Sequence, residues 1–167
     1  MKSQDWTKNM DVTVITVGKL KEKFFQDAVS EYLKRLSRFA KVRIVEIPDE
    51  KIPEHASEKQ KAQILEREGK EILSYLKEGT YFVTLCVEGK TLSSEEFAEK
   101  ISDAAMQYGK IAFAIGSSMG LSPEVKSRSS LRLSFGRMTL PHQLMRVVLT
   151  EQIYRAFKIN ANETYHK

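Results

Sequence analysis

The side chains that could do chemistry lie near the carboxyl end of the chain. His142 follows a proline in the stretch TLPHQLMR, and Tyr165 and His166 stand directly before the final lysine. A histidine can accept or donate a proton near neutral pH, and an aromatic ring beside basic groups can stack on a nucleobase while the cation holds a phosphate. These residue types are compatible with acid–base chemistry on a nucleic acid. By composition alone, an ordinary polar residue in a first helical turn and a disordered tail explain them better than chemistry does.

A second candidate is a loop made almost entirely of small residues. Residues 111–123 read IAFAIGSSMGLSP, an apolar run that stops at Gly116. Such a loop forms either a plain turn or a wall where a ligand approaches the backbone closely. It carries neither the Gly-Lys-Ser/Thr end of a Walker A loop nor the dinucleotide fingerprint G-x-G-x-x-G. The pattern alone leaves both interpretations open.

Other kinds of chemistry find no support in the sequence. The three histidines have no metal-ligand spacing with the single cysteine, Cys86, or with acidic residues, so no metal is proposed. A lone cysteine rules out an internal disulfide and suits a reducing cytosol, and its apolar neighbours indicate a packed thiol. No nucleophile-elbow pattern supports a serine hydrolase.

The charge of the chain is unevenly distributed. The net charge is +5, and residues 126–167 contain eight Lys or Arg against two acids, so the basic excess lies in the last quarter. This pattern fits either a solvated surface or a basic face for a polyanion such as RNA. No apolar run approaches the roughly 18 residues of a membrane span, and no membrane partner is expected. Residues 1–9, MKSQDWTKN, lack the apolar core of a signal peptide and are expected to be a disordered extension before a single domain over residues 10–167.

The elements that must position these residues alternate between strand and helix. Strands are predicted at residues 11–17, 42–47, 81–87, 110–115 and 131–135, with a turn at Gly89 and Lys90. Helices are predicted at residues 21–38, 57–76, 93–108, a short one from 122, and 141–159. This order predicts an α/β domain with a mainly parallel sheet and helices on both faces. Ligands bind beyond the carboxyl ends of such strands, which directs attention to the loops after residues 87, 115 and 135.

The last predicted helix is apolar on almost every side. A helix of this kind is expected to be buried all round, and a sheet covers only one of its sides. The other side packs either within the monomer or on a second subunit across a two-fold axis, and the dimer is favoured.

Taken together, several stretches identify a family. The chain resembles, from about residue 10 to 167, the SPOUT-superfamily methyltransferases that modify N3 of pseudouridine in large-subunit (23S) ribosomal RNA. The resemblance rests on DVTVITVGKLKE, AIGSSMGLSPEV, LSFGRMTLPHQLMRVVLTEQIYRAFKI and the terminal YHK. It implies a C-terminal trefoil knot, S-adenosylmethionine as methyl donor and a homodimer. It also implies action in the cytoplasm on the assembled ribosome.

The resemblance also implies site residues. The methyl donor would be held by three loops, carried over as Leu85, Gly116, Phe135, Gly136, Arg137, Met138, Thr139 and Leu140. The catalytic candidates are His142, Arg155, Tyr165 and His166. Within this set the histidines and the tyrosine are candidates for acting on the N3 proton, and Arg155 for positioning phosphate or base. A side chain at Gly116 is expected to block the approach of the donor's adenosine.

Two positions depart from the family pattern. Ser117 stands where the family usually has glycine, and serine disfavours positive φ, so the loop is expected to differ slightly. Asn162 stands near a usual tail glycine, and asparagine tolerates the left-handed conformation. Two rival functions stay open: a non-catalytic ribosome-binding factor, and a superfamily methyltransferase that acts on transfer RNA or another base.

Overall fold

The computed structural model describes residues 10–165. The predicted N-terminal extension, residues 1–9, and the candidate His166 lie outside the described residues. The strands are β1 (Asp11–Val17), β2 (Lys41–Ile47), β3 (Tyr81–Thr91), β4 (Lys110–Ile115) and β5 (Leu131–Ser134). The helices are α1 (Lys23–Leu36), α2 (Glu58–Ser74), α3 (Ser94–Gln107), α4 (Pro123–Arg128) and α5 (His142–Asn160).

The strands form one parallel sheet in the order β2-β1-β4-β3-β5. On one face, α1, α3 and α5 pack on a core that includes Val14, Phe113 and Phe157. On the other face, α2 and α4 cover a smaller core around Phe82 and Val125. The predicted α/β class, with helices on both faces of a parallel sheet, is confirmed. The trefoil knot stays a prediction.

Local sequence signals set the starts of three helices. Ser57 and Ser93 cap α2 and α3, and in both cases the residue three positions later completes a capping box. Ser122 accepts a hydrogen bond from the amide of Val125 at the start of α4, where Pro123 occupies the first turn. These three predicted starts are therefore confirmed.

The third strand is longer than predicted. The sequence predicts a turn at Gly89 and Lys90, but β3 continues to Thr91 after a shift of register against β5 between Leu85 and Lys90. A Cβ atom at Gly89 would lie 2.7 Å from the carbonyl oxygen of Arg132, so glycine allows the two strands to meet there. The prediction of a turn was wrong because a β-bulge and a turn share the same glycine signal.

The last helix begins one residue later than predicted. Pro141 is its N-cap, with extended backbone, and His142 is its first residue. None of its residues is exposed, and several, such as Val148, are only half-buried. Although α5 has 19 residues, no helix among the described residues is long and apolar enough to span a membrane.

The tail after α5 is turned back on the domain. Asn162 has a φ of 55°, the left-handed conformation expected for it. The Glu163 carboxylate accepts hydrogen bonds from Arg38 and from Lys158, the latter at 2.6 Å. Through Tyr165 the tail is therefore ordered, in contrast to the disorder that composition alone predicts.

Candidate functional site

A cavity of about 440 Å³ lies at the carboxyl edge of the sheet, where the irregular part of β3 that follows Leu85 meets the loops after β4 and β5. Two of these segments, the loops after β4 and β5, are strand exits predicted from the sequence, whereas the predicted exit after residue 87 lies within β3. Seven of the eight predicted donor residues line it: Leu85, Gly116, Phe135, Gly136, Met138, Thr139 and Leu140. Arg137 is exposed and does not line the cavity. His142 and Met145, at the start of α5, close one side.

The walls combine apolar side chains with loop backbone. Apolar groups come from Leu85, Leu133 and Phe135, while glycines at 116, 120 and 136 bring backbone to the surface of the cavity. Ligand pockets of roughly 300 to 1,000 Å³ with apolar walls and a few polar groups are typical for small molecules. The cavity therefore has the size and lining to hold an organic ligand of nucleoside size or larger.

The loop of residues 116–120 closes on itself. The amide of Gly120 donates a hydrogen bond of 2.9 Å to the carbonyl of Ser117, and the two residues form an isolated bridge. A Cβ atom at Gly116 would lie 2.2 Å from the carbonyl oxygen of Gly120. The loop itself therefore requires glycine at 116, which is a different reason from the ligand approach expected from the sequence.

Ser117 fits into the same loop without backbone strain. Among the described non-glycine residues only Asn162 has a positive φ, so Ser117 adopts ordinary backbone geometry. Its hydroxyl donates to Glu68 Oε1 at 3.2 Å and accepts from the Met119 amide at 3.3 Å. The expected disturbance of the loop by positive φ at Ser117 therefore does not arise.

Ser134, which the sequence analysis did not single out, joins two of the three segments that line the cavity. Its hydroxyl donates to the carbonyl of Val87 at 2.8 Å and accepts from the Gly136 amide at 3.1 Å. Gly136 has a φ of 124°, which lets the chain turn sharply out of β5. One hydroxyl thus fixes the exit of β5 against the irregular part of β3.

A separate polar cluster lies near the end of α5. Arg155 binds Glu151 Oε1 through Nε at 3.0 Å and Nη2 at 2.6 Å, and the Tyr165 hydroxyl donates to the same oxygen at 3.2 Å. The guanidinium lies 4.8 Å from the centre of the Tyr165 ring, and that ring packs edge-on against Tyr154. Glu151 was missed, although its spacing of four from Arg155 on a helix is a recognisable signal.

The surroundings of Tyr165 affect its ionisation. Burial, followed by the neighbouring Glu151 carboxylate, raises the pKa of its phenol above the ordinary value of 10.0. The phenol therefore stays protonated at neutral pH and can donate a hydrogen bond. This suits a positioning contact better than proton abstraction.

The cavity and the polar cluster are far apart along α5. His142 lines the cavity, whereas Arg155 lies thirteen residues later and does not line it. At 1.5 Å per residue, the two positions are separated by about 20 Å along the helix axis. Within one chain the structure therefore does not bring His142 together with Arg155 and Tyr165.

Part of the basic excess near the carboxyl end is neutralised or buried. The Arg146 side chain is only 2% exposed, and it donates to Glu46 Oε2 at 2.7 Å and to the Gly18 carbonyl at 3.0 Å. Lys126 and Lys158 each contact a carboxylate. Arg128, Arg132 and Arg137 are exposed, so these three carry the surface charge of the segment that runs from α4 past β5.

The surroundings of Cys86 decide what kind of thiol it is. Cys86 lies on the cavity wall, but it is buried, and burial raises the pKa of its thiol. It is therefore a packed thiol and not a reactive one. Over residues 10–165 no group of three or more His, Cys, Asp or Glu could hold a metal ion.

Comparison with known proteins gives one matching family model and relatives of more than 50% identity. Residues 10–166 match the family model described as "Predicted SPOUT methyltransferase". The chain is 53% identical over 159 residues to the ribosomal RNA large subunit methyltransferase H of Bifidobacterium animalis subsp. lactis (strain AD011), covering 95% of this chain and 100% of the relative. The proteins of that name from Bacillus cytotoxicus and Clostridium novyi (strain NT) are 54% and 56% identical over 160 residues, with the same coverage.

Proposed function

Because the chain belongs to the SPOUT methyltransferase family, we propose that it methylates N3 of a pseudouridine in large-subunit (23S) ribosomal RNA, with S-adenosylmethionine as methyl donor. The names of the relatives support a ribosomal RNA substrate. The pseudouridine, its N3 atom and the assembled ribosome as the form acted upon follow from the sequence resemblance. Such a substrate would place the reaction in the cytoplasm.

The cavity formed by β3 and by the loops after β4 and β5 carries this proposal. Its apolar walls at Leu85, Phe135 and Leu140 fit a flat, weakly polar ring system, and the glycine backbone at 116, 120 and 136 could offer hydrogen-bonding groups. When bound, the donor supplies a methyl group activated by its sulfonium centre. The loops would hold it in a fixed orientation, which makes the transfer effectively unimolecular.

The N3 atom of the target base carries a proton that must leave. His142 is the described histidine on the cavity wall, and it is a candidate to accept that proton or to stabilise the deprotonated base. His166 shares this candidacy on sequence grounds. Arg155 and the protonated Tyr165 would position the nucleotide by charge and stacking.

The distance between His142 and the polar cluster of Glu151, Arg155 and Tyr165 supports a homodimer. If one subunit supplies the cavity and another supplies the cluster, the roughly 20 Å that separates them along a single α5 is bridged. The half-buried apolar residues Leu144, Val147 and Val148 form a surface on which a second copy could pack. The trefoil knot, which would hold the three loops together, belongs to the same proposal.

Two measurements test the function in turn. Titration of the protein with S-adenosylmethionine in a calorimeter is expected to give saturable heat, whereas a binding factor with a degenerate pocket would give none. Incubation of ribosomes lacking the modification with labelled donor, followed by mapping of the methylated nucleotide, then identifies the base. Label on transfer RNA or on another atom would contradict the proposed substrate.

A further inference from the structure

A buried carboxyl group lies directly behind the cavity. Glu68 occupies the inner face of α2 together with Ile64 and Ile72, four residues before and after it, and is only 5% exposed. Its Oε2 atom has no hydrogen-bond partner among the described residues. Burying a carboxylate with an unpaired oxygen is unfavourable, so an apolar residue would be the more stable choice at this position.

The contacts of Glu68 lead to the loop of residues 116–120. Glu68 Oε1 accepts a hydrogen bond from the Ser117 hydroxyl at 3.2 Å, and the oxygen of that hydroxyl accepts one from the Met119 amide at 3.3 Å. The next residue, Gly69, allows α2 to lie close to the N-cap of α4, because a Cβ atom at position 69 would lie 2.4 Å from Ser122 Oγ. Helix α2 therefore contacts Ser117, near the start of the loop, and Ser122, the N-cap of α4 that follows the end of the loop.

Glu68 itself does not line the cavity, whereas Ser117 does. Any influence of the carboxyl group on a ligand must therefore pass through the loop. In the structure the loop presents its backbone to the cavity in a folded-back form, in which Gly116 packs on Gly120. A hydrogen bond that restrains both Ser117 and Met119 favours that form.

We propose that Glu68 is a positioning residue for the methyl-donor pocket, acting through the Ser117 hydroxyl to hold residues 116–120 in the ligand-binding conformation. This inference rests on the proposed function, because it concerns affinity for the donor. It assigns to α2, which contributes no residue to the cavity wall, a direct part in donor binding. A buried hydrogen bond to a charged group is strong enough to fix a short loop.

The test compares four variants with the wild-type protein by calorimetry with S-adenosylmethionine. Glu68→Ala and Ser117→Ala are each expected to weaken donor binding about tenfold, which is the effect of losing one such hydrogen bond. The double variant is expected to be no weaker than either single variant, because both remove the same contact. Glu68→Gln keeps an acceptor oxygen and is expected to stay within about threefold of wild type.

Kinetic measurements and a matched control variant distinguish an effect of Glu68 on donor binding from an effect on the stability of the protein. On ribosomes, Glu68→Ala is expected to raise the KM for the donor while kcat at saturating donor stays nearly unchanged. Glu71→Ala, an exposed glutamate on the same helix, should leave both constants at wild-type values.

Several outcomes would overturn the inference. These are variants that melt earlier yet bind the donor normally, a Glu68→Gln protein as weak as Glu68→Ala, and additive effects in the double variant. If Glu68→Ala does not fold, Ser117→Ala and Glu68→Gln still decide the matter. A wild-type protein that gives no heat would instead refute the proposed function itself.

Discussion

At single positions, the glycines of the pocket have distinct structural reasons. Gly116 is required by the carbonyl of Gly120, and Gly136 is required by its positive φ. The sequence predicts that small residues matter at 116, but it could not show that the crowding atom belongs to the same loop. That contact depends on how residues 117–120 fold back, which no residue pattern reports.

Gly116→Ala is therefore expected to open the loop and to weaken donor binding by at least about tenfold, in the range of overpacking costs of about 1–3 kcal/mol. Calorimetry with S-adenosylmethionine measures the change. Gly109→Ala is the matched control, because Gly109 has a φ of 71° and an added Cβ atom would meet nothing within 4 Å. That variant should lose stability through strain but bind the donor as wild type does. Equal donor affinity in both variants would contradict the explanation.

A second residue-scale prediction concerns the ionisation of Glu68. Burial raises the pKa of its carboxyl above the ordinary value of 4.5, and the Asp49 and Glu50 carboxylates act in the same direction, while the Ser117 hydroxyl and the Glu50 backbone amide oppose them. Between the unfolded and the raised folded pKa, the folded protein binds more protons. Its stability therefore falls as pH rises through that interval and stays lower above it.

Glu68→Gln removes this titration. The melting temperature of the variant minus that of the wild type is expected to increase as pH rises from about 4 to about 8. Thermal denaturation across this range measures the difference, with Glu71→Gln as the exposed control on the same helix. A difference that does not change with pH would show that Glu68 does not titrate in the way described.

At the scale of elements, the sequence predicted most of what local chemistry decides. The capping boxes at Ser57 and Ser93 gave the starts of α2 and α3, because side chain and backbone there satisfy each other within one turn. The extension of β3 to Thr91 was missed, because it depends on pairing with β5, some forty residues further along the chain. Glu68 was missed as well, although a charged residue between Ile64 and Ile72 on a buried stripe is a signal.

The half-buried side of α5 leads to a prediction about the oligomeric state of the protein. Val148→Glu introduces a charge among Leu144, Val147 and their expected counterparts in a second copy, so the dimer is expected to dissociate. Size-exclusion chromatography with light scattering measures the mass. Tyr75→Glu, a change at a 41% exposed position that ends α2 on the opposite face of the sheet, is the control and should stay dimeric. A Val148→Glu protein that remains a dimer would rule out this surface.

At the scale of the whole molecule, the predicted class of fold and the position of the cavity agree with the structure for one physical reason. Parallel strands place all their carboxyl ends at one edge, so loops that are distant in sequence must meet there. What the sequence could not give is the contact of Tyr165 with Glu151, which depends on how the tail turns back after α5. The separation between His142 and Arg155, in contrast, follows from their places on one continuous predicted helix, residues 141–159. Because a helix is rigid and rises 1.5 Å per residue, thirteen residues along it correspond to about 20 Å.

The surface charge gives the last prediction. Arg132 is exposed between Arg128 and Arg137, and phosphate contacts by such residues release counterions from RNA. Arg132→Ala is therefore expected to reduce the slope of log K against log salt for ribosome binding by about 0.7 to 1, with little change in the methylated position. Filter binding over a salt series measures it. Lys41→Ala is the control, because Lys41 is exposed at the start of β2, at the edge of the sheet opposite the cavity. An unchanged slope for Arg132→Ala, or an equal change for Lys41→Ala, would mean that RNA does not approach over this surface.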